Sequence, residues 1–375
     1  MIYLDNSATT YPKPECVYKV LDDANRERAF NAGRGTYKSA KETFKMIEDT
    51  RRKIGRIINV NSDKVAFFSS ATEALNIIIN GLDIKDGDNI YISCFEHNAI
   101  VRPLYNLQKT IDFNILFIPF QRDTWDVNLT ELNNLFVMNK PKAILISHIS
   151  NVTGFILPYQ KIFALSKNYQ SINILDSAQS FGILNPNKTN CDFIVFAGHK
   201  SLYASFGIAG FINVNDILLK IVKSGGNGSD SLNHDMPKNG FHRYESGSQN
   251  SVAICGLNRS VDWLNGNDIL HHEQELTKYL IDNLKLNKKI VMYLPKKNDN
   301  ILGIVSINIE GYNSSDVGLI LSDEYDICVR TGYHCSPFIH DFIGSISFGG
   351  TVRVSMGAFN SKKDIDILID ALKTF

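Results

Sequence analysis

Short apolar runs alternate with longer segments of helical periodicity along the first two-thirds of the chain. The runs at 65–68, 89–93 and 143–146 are too short for helices and are rich in Val, Ile and aromatic residues, which predicts buried strands. Segments of helical periodicity separate them. This alternation is typical of a mainly parallel sheet covered by helices, so we predict an α/β fold.

The pattern changes in the last third of the chain. Beyond residue 260 it predicts a helix, a strand at 301–307, a helix, a strand and a final helix from about Lys362. This order predicts a smaller α+β domain, with a boundary between 250 and 265. A Gly- and Asn-rich stretch from Gly225 runs on to Gly240 and is expected to form a loop, either a mobile one near a site or an ordinary surface loop.

Composition narrows the class of function. The 375 residues carry 39 basic and 39 acidic side chains, so no global charge favours nucleic acid or an anionic membrane as partner. A small-molecule substrate fits better. The first residues lack a basic region followed by an apolar stretch, and no apolar run approaches the ~20 residues that a membrane span needs. We therefore expect a cytoplasmic protein.

Lys200 and Asp176 each follow an apolar run, at 193–196 and 172–175 respectively. Both are expected at strand carboxyl ends, where open α/β sheets bind ligands. Pyridoxal 5'-phosphate (PLP) needs an amine to bind its aldehyde and a carboxylate to keep its pyridine nitrogen protonated. The two residues can supply these groups, although a Lys and an Asp so spaced would by themselves more often be surface charges.

The six cysteines are scattered, with no spacing that suggests a metal site or a disulfide framework. Most are expected to be reduced core residues. Cys335 differs, because it lies in a polar segment punctuated by Gly and Pro, with Arg330 and His334 as potentially cationic neighbours. Such surroundings favour a reactive thiolate.

A series of motif-like segments runs along nearly the whole chain. They are YLDNSATT at 3–10, SATEALN at 70–76, EHN at 96–98, HISNVTG at 148–154, DSAQ at 176–179, GHK at 198–200, RYESGSQN at 243–250, RTGYHC at 330–335 and VRVS at 352–355. In their composition and order these segments resemble the cysteine desulfurase and selenocysteine lyase branch of the class V aminotransferases, which are fold type I PLP enzymes. The compact R-x-G-x-H-C setting of Cys335 looks like the short-loop subgroup.

The resemblance implies a fold and an activity. The fold is a large PLP-binding α/β domain with a mainly parallel seven-stranded sheet at 15–255, and a small α+β domain made of 1–14 and 256–375. The activity is conversion of L-cysteine to L-alanine, with the sulfur left as a persulfide on Cys335 for transfer to an acceptor, which can be a partner protein. It also implies a homodimer with shared active sites.

The resemblance also implies how the cofactor is held. His97 would stack on the pyridine ring and move protons, Gln179 would donate to the phenolic oxygen, and Asn151 would lie near that oxygen and the substrate carboxylate. Arg353 would grip that carboxylate. The positions that would hold the phosphate are Ala71, Thr72, His199 and, from the neighbouring subunit, Ser248.

Residues 70–72 have a physical reason to bind phosphate. They follow an apolar strand and open a helical run, so backbone N–H groups and the helix dipole face the ligand. The alternative is that Ser70 or Thr72 only caps the helix, and capping is compatible with phosphate binding.

Some residues depart from the pattern of the family. Ala197 stands where Ser or Thr is usual, and Ser201 and 204–206 replace a Gly- and Pro-containing pattern, so a phosphate hydrogen bond is expected to be missing. These departures leave a vestigial enzyme, serving as a sulfur carrier or assembly scaffold, as one alternative. Selenocysteine lyase or another class V reaction is a second. A dinucleotide-binding dehydrogenase is set aside for lack of G-x-G-x-x-G after the first strand.

Overall fold

The computed structural model describes residues 1–32, 35–228, 232–296 and 300–375. Its helices, numbered in chain order, are α1 Glu15–Asp23, α2 Lys38–Ile57, α3 Ala71–Gly81, α4 Asn98–Leu107, α5 Leu129–Met138, α6 Tyr159–Ser166, α7 Ser251–Asn265, α8 Ile269–Leu284, α9 Ser314–Tyr325, α10 Ile339–Ile343 and α11 Lys362–Leu372. Within these residues, no helix is both long and apolar enough to cross a membrane.

The strands form three sheets. They are β1 Ile2–Tyr3, β2 Val65–Phe68, β3 Asn89–Ile92, β4 Asn114–Phe117, β5 Pro141–Ser147, β6 Ile172–Asp176, β7 Phe193–Ala197, β8 Ala209–Asn213, β9 Ile290–Met292, β10 Ile304–Ile309, β11 Ile327–Cys328, β12 Arg330–Gly332 and β13 Thr351–Ser355. The predicted strands at 65–68, 89–93 and 143–146 are present. The one predicted at 301–307 begins three residues later, just after Gly303, which has a φ of +67°.

The large sheet has seven strands in the order β2-β8-β7-β6-β5-β3-β4. Strands β4, β3, β5, β6 and β7 run parallel, and β8 pairs antiparallel with both β7 and β2. Along β5, Ile144 and Ile146 pack in one apolar cluster, whereas Ala143 and Leu145 pack in another on the opposite face. Burial on both faces is what a parallel sheet requires and explains the unbroken apolar runs.

The C-terminal part forms a four-stranded antiparallel sheet in the order β12-β13-β10-β9. The N-terminus joins it, because β1 pairs with β11 and Asp5 bridges Ser355. Helix α7 crosses the boundary predicted between 250 and 265, and the division at residue 255 stays a prediction. In the predicted loop from 225 to 240, residues 229–231 lie outside the described residues.

Candidate active site

Lys200 and Asp176 meet at the carboxyl edge of the large sheet. Asp176 is the last residue of β6, and Lys200 comes three residues after β7 ends. Strands β6 and β7 are parallel neighbours, so both side chains leave the sheet at the same edge. They line one cavity together with Ala71, Thr72, His97, Asn151, Gln179 and His199.

Burial sets the charge state of this pair. It lowers the pKa of Lys200 to about 8, a change that the neighbouring Asp176 partly opposes. It also raises the pKa of Asp176, while a hydrogen bond from the Ala178 N–H to Oδ1 (3.0 Å) and the charge of Lys200 act in the other direction. An amine that titrates near neutral pH beside a carboxylate can take up and return protons.

His97 is the N-cap of α4, and its Nδ1 accepts a hydrogen bond from the Ala99 N–H (3.0 Å). Nδ1 therefore carries no hydrogen, and the neutral ring has its hydrogen on Nε2. Burial lowers the pKa of His97 to about 3, with further lowering from the charges of Lys200, Arg353 and Arg102. The ring is a neutral imidazole on the wall of the cavity.

Glu96 is a buried acidic residue directly before His97, and sequence reasoning assigned it no role. Its Oε1 accepts from the Ser147 N–H (3.1 Å) and from the Ser93 hydroxyl, and its Oε2 accepts from the Ser147 hydroxyl (2.7 Å). Burial raises its pKa to about 7. These bonds join the turn before His97 to the end of β5. Glu96 lies four residues after β3 ends, and nothing in the sequence marks it as buried.

The start of α3 faces the same cavity. Ser70 is the N-cap, and its Oγ accepts from the Glu73 N–H (3.1 Å). The N–H groups of the first helical turn have no partner within the helix, so those of Ala71 and Thr72 remain available to an anion. The predicted N-cap is confirmed, and it is compatible with phosphate binding.

His199 lines the same cavity and precedes Lys200 in the chain. Its ring stacks on Phe206 with 4.5 Å between centroids and 26° between planes. Burial lowers the pKa of His199 to about 3, and its Nδ1 is buried with no hydrogen-bond partner among the described residues. Ala197 lines the cavity with a methyl group in place of a hydroxyl.

Gln179 and Asn151 reach the cavity, but both amides already bind protein groups. Gln179 Nε2 donates to the Ser7 carbonyl (2.9 Å). Asn151 Nδ2 donates to the His334 carbonyl (2.8 Å), and its Oδ1 accepts from the Ser336 hydroxyl (2.7 Å). Asn151 thus connects the cavity to the segment that carries Cys335.

Arg353, in the middle of β13, is almost fully buried. Its Nη1 donates to the Asn151 carbonyl (2.9 Å), and its Nη2 donates to Asp5 Oδ1 (2.7 Å). Its Nε is buried, and no described residue accepts from it. Arg353 is not among the described residues that line the cavity around Lys200, but it bonds to Asn151, which does line it. The ion pair with Asp5 was not foreseen from the sequence.

Cys335 lies outside the cavity lining, and its side chain is exposed. Its carbonyl accepts from the Asn98 N–H (2.7 Å) at the start of α4. The expectation of a cationic His334 beside it is wrong. His334 is buried, which lowers its pKa well below the usual range, and its Nε2 lies 2.8 Å from the Thr351 hydroxyl. The other five cysteines are buried or partly buried, with free thiols.

Ser248 is not brought to this cavity within one chain. It is exposed, lines a different cavity, and accepts a hydrogen bond from Asn31 Nδ2 (3.2 Å). Its expected role at the site of a neighbouring subunit stays a prediction.

Comparisons with known proteins identify the family that the sequence motifs resemble. The sequence profile of the family described as Aminotransferase class-V matches residues 2–368. A cysteine desulfurase of Wigglesworthia glossinidia brevipalpis is 31% identical over 395 residues, which cover 99% of this chain and 92% of that protein. A cysteine desulfurase of Escherichia coli O8 is 28% identical, over 100% of this chain and 93% of that protein.

Solved structures share the fold. The apo cysteine desulfurase of Thermococcus onnurineus NA1 superimposes with a TM-score of 0.91 at 24% identity, over 100% of this chain and 94% of that one. The cysteine desulfurase CsdA (S-sulfonic acid) of Escherichia coli gives 0.86 at 22% identity, over 99% and 94%. The predicted α/β fold with a mainly parallel seven-stranded sheet is confirmed.

Proposed function

Because this chain belongs to the class V aminotransferase family, in the branch of the cysteine desulfurases, we propose that it is a PLP-dependent cysteine desulfurase that leaves the sulfur of L-cysteine on Cys335. The two relatives named above are cysteine desulfurases, and this chain aligns with nearly the full length of each. The observation that carries the proposal is the convergence of Lys200, Asp176 and His97 on one cavity, next to the segment that holds a free, exposed cysteine.

The residues of the cavity fit PLP. Lys200 would supply the amine for the aldehyde, Asp176 the carboxylate for the pyridine nitrogen, and His97 a neutral ring for the pyridine face. When bound, PLP supplies an electron-accepting ring that eases removal of the substrate α-proton. Lys200, with a pKa of about 8, can accept such a proton and return it.

Another part of the cavity lining fits a phosphate. The first N–H groups of α3, at Ala71 and Thr72, lie at the positive end of the helix dipole. His199 also lines the cavity, and its unpartnered Nδ1 adds a third group. Ala197 contributes no hydroxyl, so we infer that this part binds with one hydrogen bond fewer than a Ser or Thr would allow.

Arg353 and Asn151 are suited to hold the α-carboxylate of the substrate. The buried Nε of Arg353 has no acceptor among the described residues, and a carboxylate oxygen is the acceptor that a guanidinium binds most strongly. Asn151 lies beside it, since its own carbonyl accepts from Arg353.

Cys335 acts as the nucleophile. Its thiolate sulfur bonds to the substrate sulfur, and the carbon–sulfur bond of the substrate breaks. The electron pair of that bond stays with the carbon, which takes up a proton and becomes the methyl group of alanine. The product on the protein is a persulfide, which a thiol acceptor then removes by exchange.

We also propose a cytoplasmic homodimer in which Ser248 completes the phosphate site of the partner subunit. The exposed position of Ser248, away from the cavity of its own chain, supports this arrangement. An acceptor protein or small thiol would receive the sulfur, and the exposure of Cys335 gives it access.

The test measures alanine and sulfide released from PLP-loaded protein with L-cysteine and a reductant. We expect release from the wild type and a loss of about 100-fold or more in Cys335→Ala, which still binds substrate and changes the cofactor spectrum. Cys328→Ala, a partly buried cysteine seven residues away, is the control and should retain activity. Equal release from wild type and Cys335→Ala would remove Cys335 as nucleophile, and no alanine from PLP-loaded wild type would indicate another class V reaction.

A further inference from the structure

The turn that carries Cys335 has an uncommon backbone. His334 and Cys335 have φ values of +47° and +58°, so two consecutive residues with side chains lie in the left-handed region, which residues other than glycine seldom occupy. Such a conformation persists only where its surroundings determine it. The contacts of this turn therefore decide where the Cys335 thiol is directed.

Two of these contacts come from one side chain. The carboxamide of Asn151 reaches both sides of Cys335, because Nδ2 donates to the His334 carbonyl and Oδ1 accepts from the Ser336 hydroxyl. The carbonyl can only accept, which fixes the orientation of the amide. Ser336 is fully buried and Asn151 nearly so, so water does not compete for either bond.

Asn151 is itself fixed to the cavity. Its side chain lines the cavity with Lys200, and its carbonyl accepts from Arg353. The hydrogen bonds from Ser336 and Arg353 to Asn151 therefore connect the turn that directs the exposed thiol to the cavity in which a ligand would lie.

We propose that Ser336 is a positioning residue for Cys335: its hydroxyl locks the Asn151 carboxamide across the turn and so fixes the direction of the exposed thiol relative to the cavity that Asn151 lines. This inference rests on the proposed role of Cys335 as nucleophile. Ser336 does not touch the substrate. Its effect passes through Asn151 and the backbone of the turn.

The test uses three variants of the full-length protein. Ser336→Ala removes the hydroxyl, and Ser336→Thr keeps it. Ser166→Ala is the control, because the buried Ser166 hydroxyl lies 2.9 Å from both Asn173 Oδ1 and the Phe163 carbonyl, remote from the turn along the chain. Both alanine variants thus lose a hydrogen bond from a buried serine hydroxyl.

The first readout is amide hydrogen exchange in a peptide covering 332–338, measured on cofactor-free protein. Loss of one buried hydrogen bond corresponds to exchange that is roughly three- to tenfold faster in Ser336→Ala. Ser336→Thr should return toward wild type, and Ser166→Ala should leave this peptide unchanged. If both alanine variants affect the peptide equally, or neither does, the positioning role is wrong.

The second readout is steady-state turnover of L-cysteine by PLP-loaded protein. A misdirected thiol lowers kcat by about three- to tenfold and leaves KM within about twofold, whereas Ser336→Thr restores kcat. A wild-type kcat in Ser336→Ala would overturn the inference. If the wild type forms no alanine, the proposed function fails, and the exchange result still decides whether Ser336 holds the turn.

Discussion

The guanidinium of Arg353 donates to the backbone carbonyl of Asn151 over 2.9 Å, and this bond joins the C-terminal sheet to the loop that follows β5. The same guanidinium binds Asp5 near the N-terminus. Three segments that are far apart in the sequence therefore meet at one buried cation. The Nε–H of Arg353 is buried without an acceptor among the described residues, and it is the donor that we propose for the substrate carboxylate.

Arg353→Lys should lower kcat/KM for L-cysteine by about 10- to 100-fold, mainly through KM. An ammonium cannot replace the planar fork that serves Asn151, Asp5 and a ligand together. The control is Arg330→Lys, because Arg330 also binds Asp5 (3.1 Å) but is half exposed. It should change kcat/KM by less than about threefold. Steady-state kinetics on both variants measures kcat/KM. Equal losses of kcat/KM would show that the effect of Arg353 comes from its ion pair with Asp5 and not from binding the ligand.

The apolar runs at 172–175 and 193–196 predicted β6 and β7 because central strands of a parallel sheet are buried on both faces. The positions of Asp176 and Lys200 at one edge follow directly. The direction of β8 does not follow, since an apolar run is the same whether a strand runs parallel or antiparallel.

The contacts of Asn151 could not be predicted from the sequence. Its hydrogen bonds reach residues 183 and 185 positions away, and they depend on how the C-terminal sheet packs against the large one. The prediction of a cationic His334 failed for a related reason, because neighbours in the sequence give no measure of burial.

Glu96→Gln should retain most activity, whereas Glu96→Leu should not. Glutamine still offers an oxygen to the Ser147 N–H, but leucine leaves that N–H and two serine hydroxyls without an acceptor. Each buried polar group left unpaired costs about 1–3 kcal/mol, so with three such groups we expect Glu96→Leu to lower the free energy of unfolding by about 3 kcal/mol or more and to displace His97. Neither variant carries the charge of Glu96. The difference between their free energies of unfolding in denaturant at pH 6 therefore measures the loss of the hydrogen-bond acceptor alone. Similar stabilities would refute this role of Glu96.

Glu273 should make stability depend on pH. Its carboxyl is buried beside the Tyr203 hydroxyl, and burial raises its pKa to about 8. The folded state therefore binds the proton more tightly than the unfolded state, where the pKa is about 4.3. This contribution to stability is complete below the unfolded pKa and is lost as pH rises toward 8.

Glu273→Gln should remove this dependence. Relative to wild type, its free energy of unfolding should increase by about 1–4 kcal/mol between pH 5 and pH 8, with about 1.4 kcal/mol per pH unit as the upper limit. Unfolding curves at four pH values check the slope. Glu275→Gln, at an exposed position on the same helix, is the control, and its free energy of unfolding should vary with pH as that of the wild type does. The same pH dependence in Glu273→Gln and wild type would contradict a buried neutral carboxyl at Glu273.

Phe206→Ala should weaken PLP binding through His199. The phenyl ring covers the imidazole in a stacked pair, and pairs of this kind contribute about 0.5–1.5 kcal/mol. We therefore expect the Kd for PLP to rise by about two- to tenfold. Exposing the imidazole to water should also raise the pKa of His199 from about 3 toward its usual value, which NMR of the cofactor-free protein measures independently of activity.

Phe359→Ala is the control, because Phe359 is another partly exposed phenyl ring in a stacked pair, with Trp263 at 5.7 Å. If both variants weaken PLP binding equally, or if the pKa of His199 does not move, Phe206 does not support the phosphate-binding part of the cavity.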